Sequence, residues 1–289
     1  MRFSVCVPFL SNESFLIELL QSLEALAHVD MEVLISQDSP VSEPVKEAVS
    51  NRLNLRWLRG PGKGIAANWN HCVTEASGDF IVLFHADDTV RSNYFDIISD
   101  LQREYPSSAA WFCKASVMDT EGSTTTSLID LAKSALTPKA AAYRLKGDQG
   151  LAQLLLGCFI YCPTVCYRAS VLKHYQFDES RKMVLDLDLY SRLLMAGETI
   201  SGSNSIGYNY RRHKGGQSVV LTDGISRFDE ELDLYNGLIV RLRALEWPLS
   251  AHRAKLKVFV RLHILFELSK SLLFLDGRRG MQLWKLVFL

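Results

Sequence analysis

The chain has no excess of either charge: 32 lysines and arginines stand against 32 aspartates and glutamates. With no bulk field, there is nothing to recruit nucleic acid electrostatically. There is no basic-then-apolar leader either. The apolar opening from Ser4 to Leu10 is short and broken by Pro8, so the expectation is a chain that is not secreted. Long apolar runs are missing as well. The longest uncharged stretch, 149–167, approaches the length of a membrane span, but Gln153, Gly157, Pro163 and Thr164 interrupt it. An interior helix followed by a buried strand is expected there. The six cysteines lack a metal-ligand pattern: Cys158, Cys162 and Cys166 recur at every fourth position among Phe, Ile, Tyr and Pro, as Cys6, Cys72 and Cys113 do not. Buried free thiols in a reducing compartment fit that setting better than metal ligation. Repeats and low-complexity tracts are absent, and a content of 48% hydrophobic residues excludes disorder.

What is present is a buried strand that ends in carboxylates. Phe80-Ile81-Val82-Leu83-Phe84 is wholly apolar and runs into His85-Ala86-Asp87-Asp88, the pattern of a parallel-sheet strand covered on both faces. In open α/β sheets the ligand crevice lies beyond the carboxyl ends of the strands. Acidic side chains there suit a hard divalent cation that neutralises substrate phosphates. Taken alone, the same run also reads as a core strand leading into an acidic turn.

Its surroundings favour the crevice. Strands are expected at 2–9, 31–36, 55–58 and 80–84, with helices between them: one capped by Ser11 or Asn12, then 44–51 and 65–75. This alternation predicts an α/β fold with a doubly wound, mostly parallel sheet and right-handed crossovers. Further on, the patterning predicts a helix at 94–105, a strand at 110–118, a polar mobile loop at 123–146 and a helix at 150–157. A strand at 164–167, a short helix at 170–175, a helix at 186–196 and a strand pair at 199–210 follow, and everything from about 224 reads as helix.

Three more sites are suited to the same crevice. Asp38 follows the second strand, where a carboxylate either serves a turn or accepts hydrogen bonds from a base or ribose. Asp186 opens a helix, and Asp188 follows it; an aspartate there is either a cap and dipole partner or, beside a crevice, a general base. His213 is either a surface histidine or a third metal ligand next to the carboxylates.

In order and spacing, these segments resemble the inverting glycosyltransferases of family 2, which have the GT-A fold. The resemblance covers about residues 3–218. It rests on Val5-Cys6-Val7-Pro8-Phe9-Leu10-Ser11-Asn12-Glu13, Glu32 to Ser39, Gly64-Ile65-Ala66-Ala67-Asn68, Gly78 to Asp87, Pro163-Thr164, Phe177-Asp178-Glu179, Asp186-Leu187-Asp188-Leu189-Tyr190 and Tyr210-Arg211-Arg212-His213. It implies a GT-A catalytic domain over 1–220 and a helical extension over 221–289. Pro8, Phe9, Glu13 and Asp38 would hold the nucleobase and ribose of a nucleotide-sugar, UDP-linked by default, with Asn12, Lys63, Asn68, His85 and Ala86 also lining the donor site. Asp87, Asp88 and His213 would hold Mn²⁺ or Mg²⁺ against the diphosphate. Asp186 would be the base, with Asp188 as its rival. The acceptor implied is a glycan or lipid-linked glycan of the kind used in bacterial surface polysaccharides. Three departures stand out: His85 replaces the first aspartate of the usual Asp-x-Asp, Leu185 stands where the family often has a glutamate before the base, and Gln37 replaces the first acid of the second motif.

Two rival functions are weaker. A nucleotidyltransferase would ordinarily carry a glycine-rich triphosphate loop after the first strand, and Phe9-Leu10-Ser11-Asn12 is not one. A non-catalytic sugar-nucleotide or glycan-binding protein is suggested only by His85. Residues 251–289 mix eight arginines and lysines with Phe, Leu, Val and Trp. That composition suits helices packed on the catalytic domain or in a homodimer, or a basic face lying on the membrane of a cytoplasmic enzyme.

Overall fold

The computed structural model describes residues 1–49, 53–223 and 225–287. Its amino-terminal half follows the alternation read from the sequence: β1 (Phe3–Phe9), α1 (Glu13–Glu24), β2 (Met31–Gln37), α2 (Glu43–Val49), β3 (Leu55–Arg59), α3 (Ile65–Glu75) and β4 (Phe80–Leu83). The expected end of α2 at residue 51 lies outside the described residues. Asn12 caps α1 from a left-handed conformation, its side chain accepting the Phe15 N–H, and Leu16, Leu19, Leu20 and Leu23 form the buried stripe of that helix.

The four strands are parallel and in tight register, with Val5 opposite both Val33 and Val82. Their order is β3-β2-β1-β4. The chain therefore steps outward from β1 to β3 and then returns to the other side of β1. That reversal splits the loops beyond β1 and β4 and opens a crevice at their carboxyl ends.

At the opposite end of these strands a buried carboxylate ties them together. Glu32 on β2 accepts the Ser4 hydroxyl at 2.6 Å and the N–H and hydroxyl of Ser77 at 2.6 and 2.8 Å, while Ser4 in turn accepts the Gly78 N–H at 2.8 Å. Burial alone would raise the Glu32 pKa; the hydrogen bonds from Ser4, Ser77 and Arg56 outweigh it and hold the carboxyl below its ordinary value.

The second half adds β5 (Thr89–Val90), α4 (Tyr94–Glu104), β6 (Ala110–Met118), α5 (Leu128–Leu136), β7 (Ala142–Lys146), α6 (Gly147–Leu156), β8 (Val165–Arg168), α7 (Ala169–Tyr175), α8 (Leu185–Met195), β9 (Thr199–Arg211) and α9 (Gln217–Asp223). β8 runs antiparallel between β4 and β6, β6 pairs β9 in parallel, and β5 and β7 flank β9 antiparallel. The result is a nine-stranded mixed sheet.

Two expectations fail here. The stretch 123–146 is not a mobile loop: it contains α5 and β7. Ser127 caps α5 in a reciprocal capping box with Asp130, a signature that the polar composition had masked. Nor is 199–210 a strand pair. Gly202, Ser203, Asn204 and Ser205 read as a turn, yet they lie in one 13-residue strand, β9, whose register slips opposite Phe112–Ala115. Asn204 donates instead to the carbonyls of Pro138 and Ala140 at 2.8 and 2.6 Å, so the irregularity is a bulge.

The core lies on both faces of the sheet. One cluster gathers α1 and α4 over one face; the other gathers α3, α6 and α8 over the opposite face and takes in α10 (Ser226–Ala244), α11 (Pro248–Leu256), α12 (Val258–Leu273) and α13 (Gly277–Val287) through Phe228, Leu232, Leu242, Ile264 and Leu283. Asp148 at the start of α6 fastens α11 by accepting the N–H groups of Leu249 and Ser250 at 2.9 and 2.7 Å. Among the described residues, no helix is long and apolar enough to cross a membrane.

The Glu32 lock makes a stability prediction. A Cβ added at Gly78 would lie 2.8 Å from the Arg2 carbonyl and from the Ser4 nitrogen, both of them backbone atoms that cannot swing aside. Gly78→Ala should lower unfolding stability by about 1–3 kcal/mol, read from the urea midpoint at unchanged slope.

Candidate active site

The crevice is built where three strand ends meet. The Asp38 N–H donates to the Phe9 carbonyl at 3.1 Å, the Gly60 N–H donates to the Gln37 carbonyl at 2.8 Å, and Asp38 Oδ1 accepts the Gly62 N–H at 3.0 Å. Asp38 therefore joins the ends of β1, β2 and β3. A Cβ on Gly60 would overlap its carboxylate at 2.2 Å. Glu13 spends both oxygens on the backbone and hydroxyl of Ser42, which fixes the start of α1 against the loop after β2 and lowers its pKa.

The other expected donor residues differ in what they present. Pro8 and Ala86 are half-buried, Lys63 is exposed, and the Phe9 ring is turned into the core. Only the backbone of Phe9 faces the strand ends, because side chains alternate faces along β1. Asn68 is buried on α3 and donates to the Ser36 carbonyl at 3.3 Å, a hold on β2 from beneath.

Beyond β4, four groups from distant parts of the chain converge. Asp87 Oδ2 lies 2.8 Å from His213 Nε2, across 126 positions of sequence. His85, Asp87 and Asp88 each offer a ligand atom within 4.8 Å of the others. Asp87 and His213 are partly open to solvent, whereas Asp88 is fully buried. Asp88 Oδ1 accepts the Arg211 N–H at 2.7 Å; its Oδ2 has no hydrogen-bond partner and lies 3.8 Å from His85 Nδ1. Burial, and then the neighbouring Asp87 charge, push the Asp88 carboxyl well up. Burial lowers the His85 pKa and keeps the ring neutral, the form that ligates metals. His85 Nε2 is buried without a partner as well. Asp88 Oδ2 and His85 Nε2, buried without hydrogen-bond partners beside the Asp87 carboxylate and the His213 imidazole, fit a divalent cation by chemistry and by placement.

Arg211 is the strut of this site, and the residue types alone gave it no role. It is buried, donates through Nε to the Asp87 carbonyl at 2.7 Å and through Nη1 to the carbonyls of Thr120 and Asp119 at 2.9 and 3.3 Å, and pairs with Glu18 of α1 through Nη2. Its guanidinium stacks 4.5 Å from the Phe15 ring. Arg212 points the other way, forming a two-pronged pair with Asp130 at 2.9 and 2.8 Å. Arg212, together with Ser127 and Tyr161, outweighs burial and holds Asp130 well below the usual carboxylate range. Two successive arginines at the end of a strand face opposite sides; that alternation was the available signal.

Asp186 and Asp188 separate in the structure. Two positions apart on α8 they point in different directions, and Asp188 is fully engaged: Arg192 Nε is 2.7 Å from its Oδ2 and Arg181 Nε 3.7 Å from its Oδ1. Its placement is that of a buried ion pair beneath the helix. Asp186 is recessed among Lys133, Arg227, Cys158 and Cys162. Burial pushes its carboxyl up, while its bond with the Leu187 N–H at 2.8 Å and the Lys133 and Arg227 charges pull it back. Cys162 lies within electrostatic reach of both Asp186 and Asp88. The six cysteines are free, and burial pushes the thiols of Cys113 and Cys158 up to about 12, so they act as small apolar groups.

A doubly wound half with an acidic cluster at its switch point is the arrangement of the GT-A fold. The model of glycosyl transferase family 2 matches residues 4–174. The chain belongs to that family. Solved structures agree on the fold. Residues 1–349 of S. aureus TarS in complex with UDP-GlcNAc superpose with a TM-score of 0.60 at 18% identity, covering 99% of this chain and 90% of that one. The mannosyltransferase PcManGT from Pyrobaculum calidifontis, in complex with GDP-Man and Mn2+, gives 0.59 at 13% identity, covering 99% and 84%. Another structure of TarS 1–349 gives 0.57 at 21% identity over 81% of this chain and 64% of that one, and this chain spans 44% of the longer TarS structure. No curated protein matches the sequence.

Arg211 makes the second prediction. Arg211→Ala should destabilise the protein by about 2–3 kcal/mol through lost charge-assisted hydrogen bonds. It should also weaken nucleotide-dependent thermal stabilisation, while Arg212→Ala leaves that stabilisation largely intact. Differential scanning fluorimetry with and without nucleotide checks both.

Proposed function

We propose that this enzyme is a metal-dependent inverting glycosyltransferase that moves a sugar from a nucleotide diphosphate to a hydroxyl of a glycan or lipid-linked glycan. The observation that carries the reading is the 2.8 Å contact between Asp87 and His213, beside the orphaned oxygen of Asp88. Mn²⁺ or Mg²⁺ would be held by Asp87, Asp88 and His213, with His85 as a fourth donor, and when bound it supplies positive charge against the departing diphosphate. TarS 1–349 is in complex with UDP-GlcNAc and PcManGT with GDP-Man; UDP is our default donor nucleotide.

The chain's own residues divide the remaining work. Asp38, at the junction of three strand ends, would receive the nucleoside. Asp186 takes the proton of the acceptor hydroxyl as its oxygen attacks the anomeric carbon and the bond to the diphosphate breaks; a single displacement inverts that carbon. The raised pKa of Asp186 makes it a better base than an ordinary surface carboxylate. Lys133 and Arg227 keep it from being pushed higher. Asp188, committed to Arg192 and Arg181, keeps α8 in place. Thiols held protonated by burial support a reducing, cytoplasmic compartment. Surface polysaccharide synthesis is the pathway we favour.

Replacing Asp186 by Asn should cut transfer by about 10²–10⁴-fold with nucleotide affinity unchanged, whereas Asp87→Ala should make nucleotide affinity insensitive to Mn²⁺. Calorimetric titration with UDP and an assay of UDP-sugar hydrolysis separate the two; full turnover in Asp186→Asn removes it from the mechanism. Inertness of the wild type across UDP, GDP and dTDP donors would favour a binding module.

The pH dependence follows from the sign of the shift. The base works ionised, so activity is lost as pH falls through its raised pKa. The acid limb of kcat/KM should lie above the ordinary aspartate range. It should move further up in Lys133→Met, which removes a charge that lowers that pKa.

A further inference from the structure

The carboxy-terminal helices carry the chain's charge imbalance. Over residues 248–287 there are 8 lysines and arginines and 2 acids, in a chain whose totals balance at 32 each. Both acids are already engaged: Glu267 is buried and pairs with Lys270 and Arg279, and Asp276 caps the start of α13 through the Arg279 N–H. The eight lysines and arginines of this segment therefore outnumber its two acids.

The same segment exposes its largest apolar side chains together. At the turn between α12 and α13, Leu272, Leu273, Phe274 and Leu275 follow one another, with Phe274 81% and Leu275 92% exposed. On α13, Leu283 and Leu286 face the core, while Met281 and Trp284, three positions apart and on one face, are exposed. Arg278 and Lys285 are exposed on the same helix. A run of four apolar side chains in water is costly and uncommon on a monomer.

We propose that this tip docks on an anionic phospholipid bilayer: Leu272–Leu275 and Trp284 enter the headgroup boundary while Arg278 and Lys285 face the lipid phosphates. Apolar tips flanked by cations and an interfacial tryptophan are the chemistry that a negatively charged membrane surface rewards. A second copy of the chain fits less well. A two-fold contact through this patch would bring Arg278 and Lys285 towards their own copies, with no free acid in the segment to pair them.

The test is flotation of the full chain with phosphatidylcholine vesicles that contain phosphatidylglycerol, against vesicles of phosphatidylcholine alone, at low and high salt. Three proteins are compared: wild type, Leu273→Glu/Phe274→Glu/Leu275→Glu, and Arg278→Glu/Lys285→Glu. The wild type should float only with the anionic vesicles and should be released by salt. Each variant should lose about tenfold or more in partitioning. Because the changed side chains are exposed, hydrolysis of the donor in solution should be unchanged in both, which shows that they fold and keeps this test separate from the catalytic reading. Three results overturn the proposal: no wild-type binding, binding that survives the apolar substitutions, or a wild-type dimer in sedimentation that the apolar variant converts to monomer.

Discussion

The crevice depends on one buried carboxylate that this chain does not fully satisfy. Asp88 accepts the main-chain N–H of Arg211 on one oxygen, and the His85 ring and the Tyr208 hydroxyl lie beside the carboxyl group. Removing a charged carboxylate from water without a partner costs several kcal/mol, so the surrounding structure has to enforce it. It does so through Arg211. The same residue that gives Asp88 its N–H also holds the Asp87 carbonyl, the turn after β6 and Glu18 of α1. The end of β9, the end of β4 and the first helix are thereby fixed relative to one another, and His213 follows two residues later in position to meet Asp87.

The frame beneath this arrangement is held at both ends by polar contacts and in the middle by apolar packing. At the far end, the buried Glu32 lock joins β1, β2 and the approach to β4. At the near end, Asp38 joins β1, β2 and β3. Between them, Val5, Val33, Ile81 and Val82 are fully buried. A strand pinned at each end cannot slip by one residue without moving its whole inward set to the other face. Pro8, Asp38 and Asp87 therefore keep their relative heights without contacts to each other.

The legible parts of the sequence were those carried by local pattern. Apolar runs buried on both faces marked β1, β2 and β4, and the stops at Gly60 to Gly64 and Ser77-Gly78 bounded α3. His213 could be paired with Asp87 only through the motif order, since nothing local links residues 126 apart. Arg211 was passed over because its partners are mostly main-chain carbonyls, which no side-chain pattern reveals. Asp186 and Asp188 are alike in sequence but differ in partners: Arg181 and Arg192 lie within one turn or one loop of Asp188 and pair with it. The stretch 123–146 was misread because α5 has no fully buried residue. Its helix is secured by the capping box and by Arg212 and Tyr161 on Asp130, so its apolar positions Leu128, Leu131, Ala132, Ala135 and Leu136 recur at helical spacing without being fully buried.

That polar anchorage also explains the setting of Asp186. α5 brings Lys133 to the recess where Cys158, Cys162, Tyr167 and Tyr190 surround the carboxylate. Burial raises the pKa of each of those thiols and phenols, so all of them stay neutral at physiological pH and none competes with Asp186 for a proton or a counter-charge. Lys133 and Arg227 act on it favourably, while the buried Glu231, 2.9 Å from Arg227, faces the same recess. Desolvation raises the pKa of Asp186 and the two cations oppose that rise. Asp130, which anchors the helix carrying Lys133, therefore bears on the basicity of Asp186 without touching it. The ion pair between Arg212 and Asp130 links that recess back to the strand that carries Arg211, so one strand end sets both the acidic cluster and the environment of the carboxylate across from it.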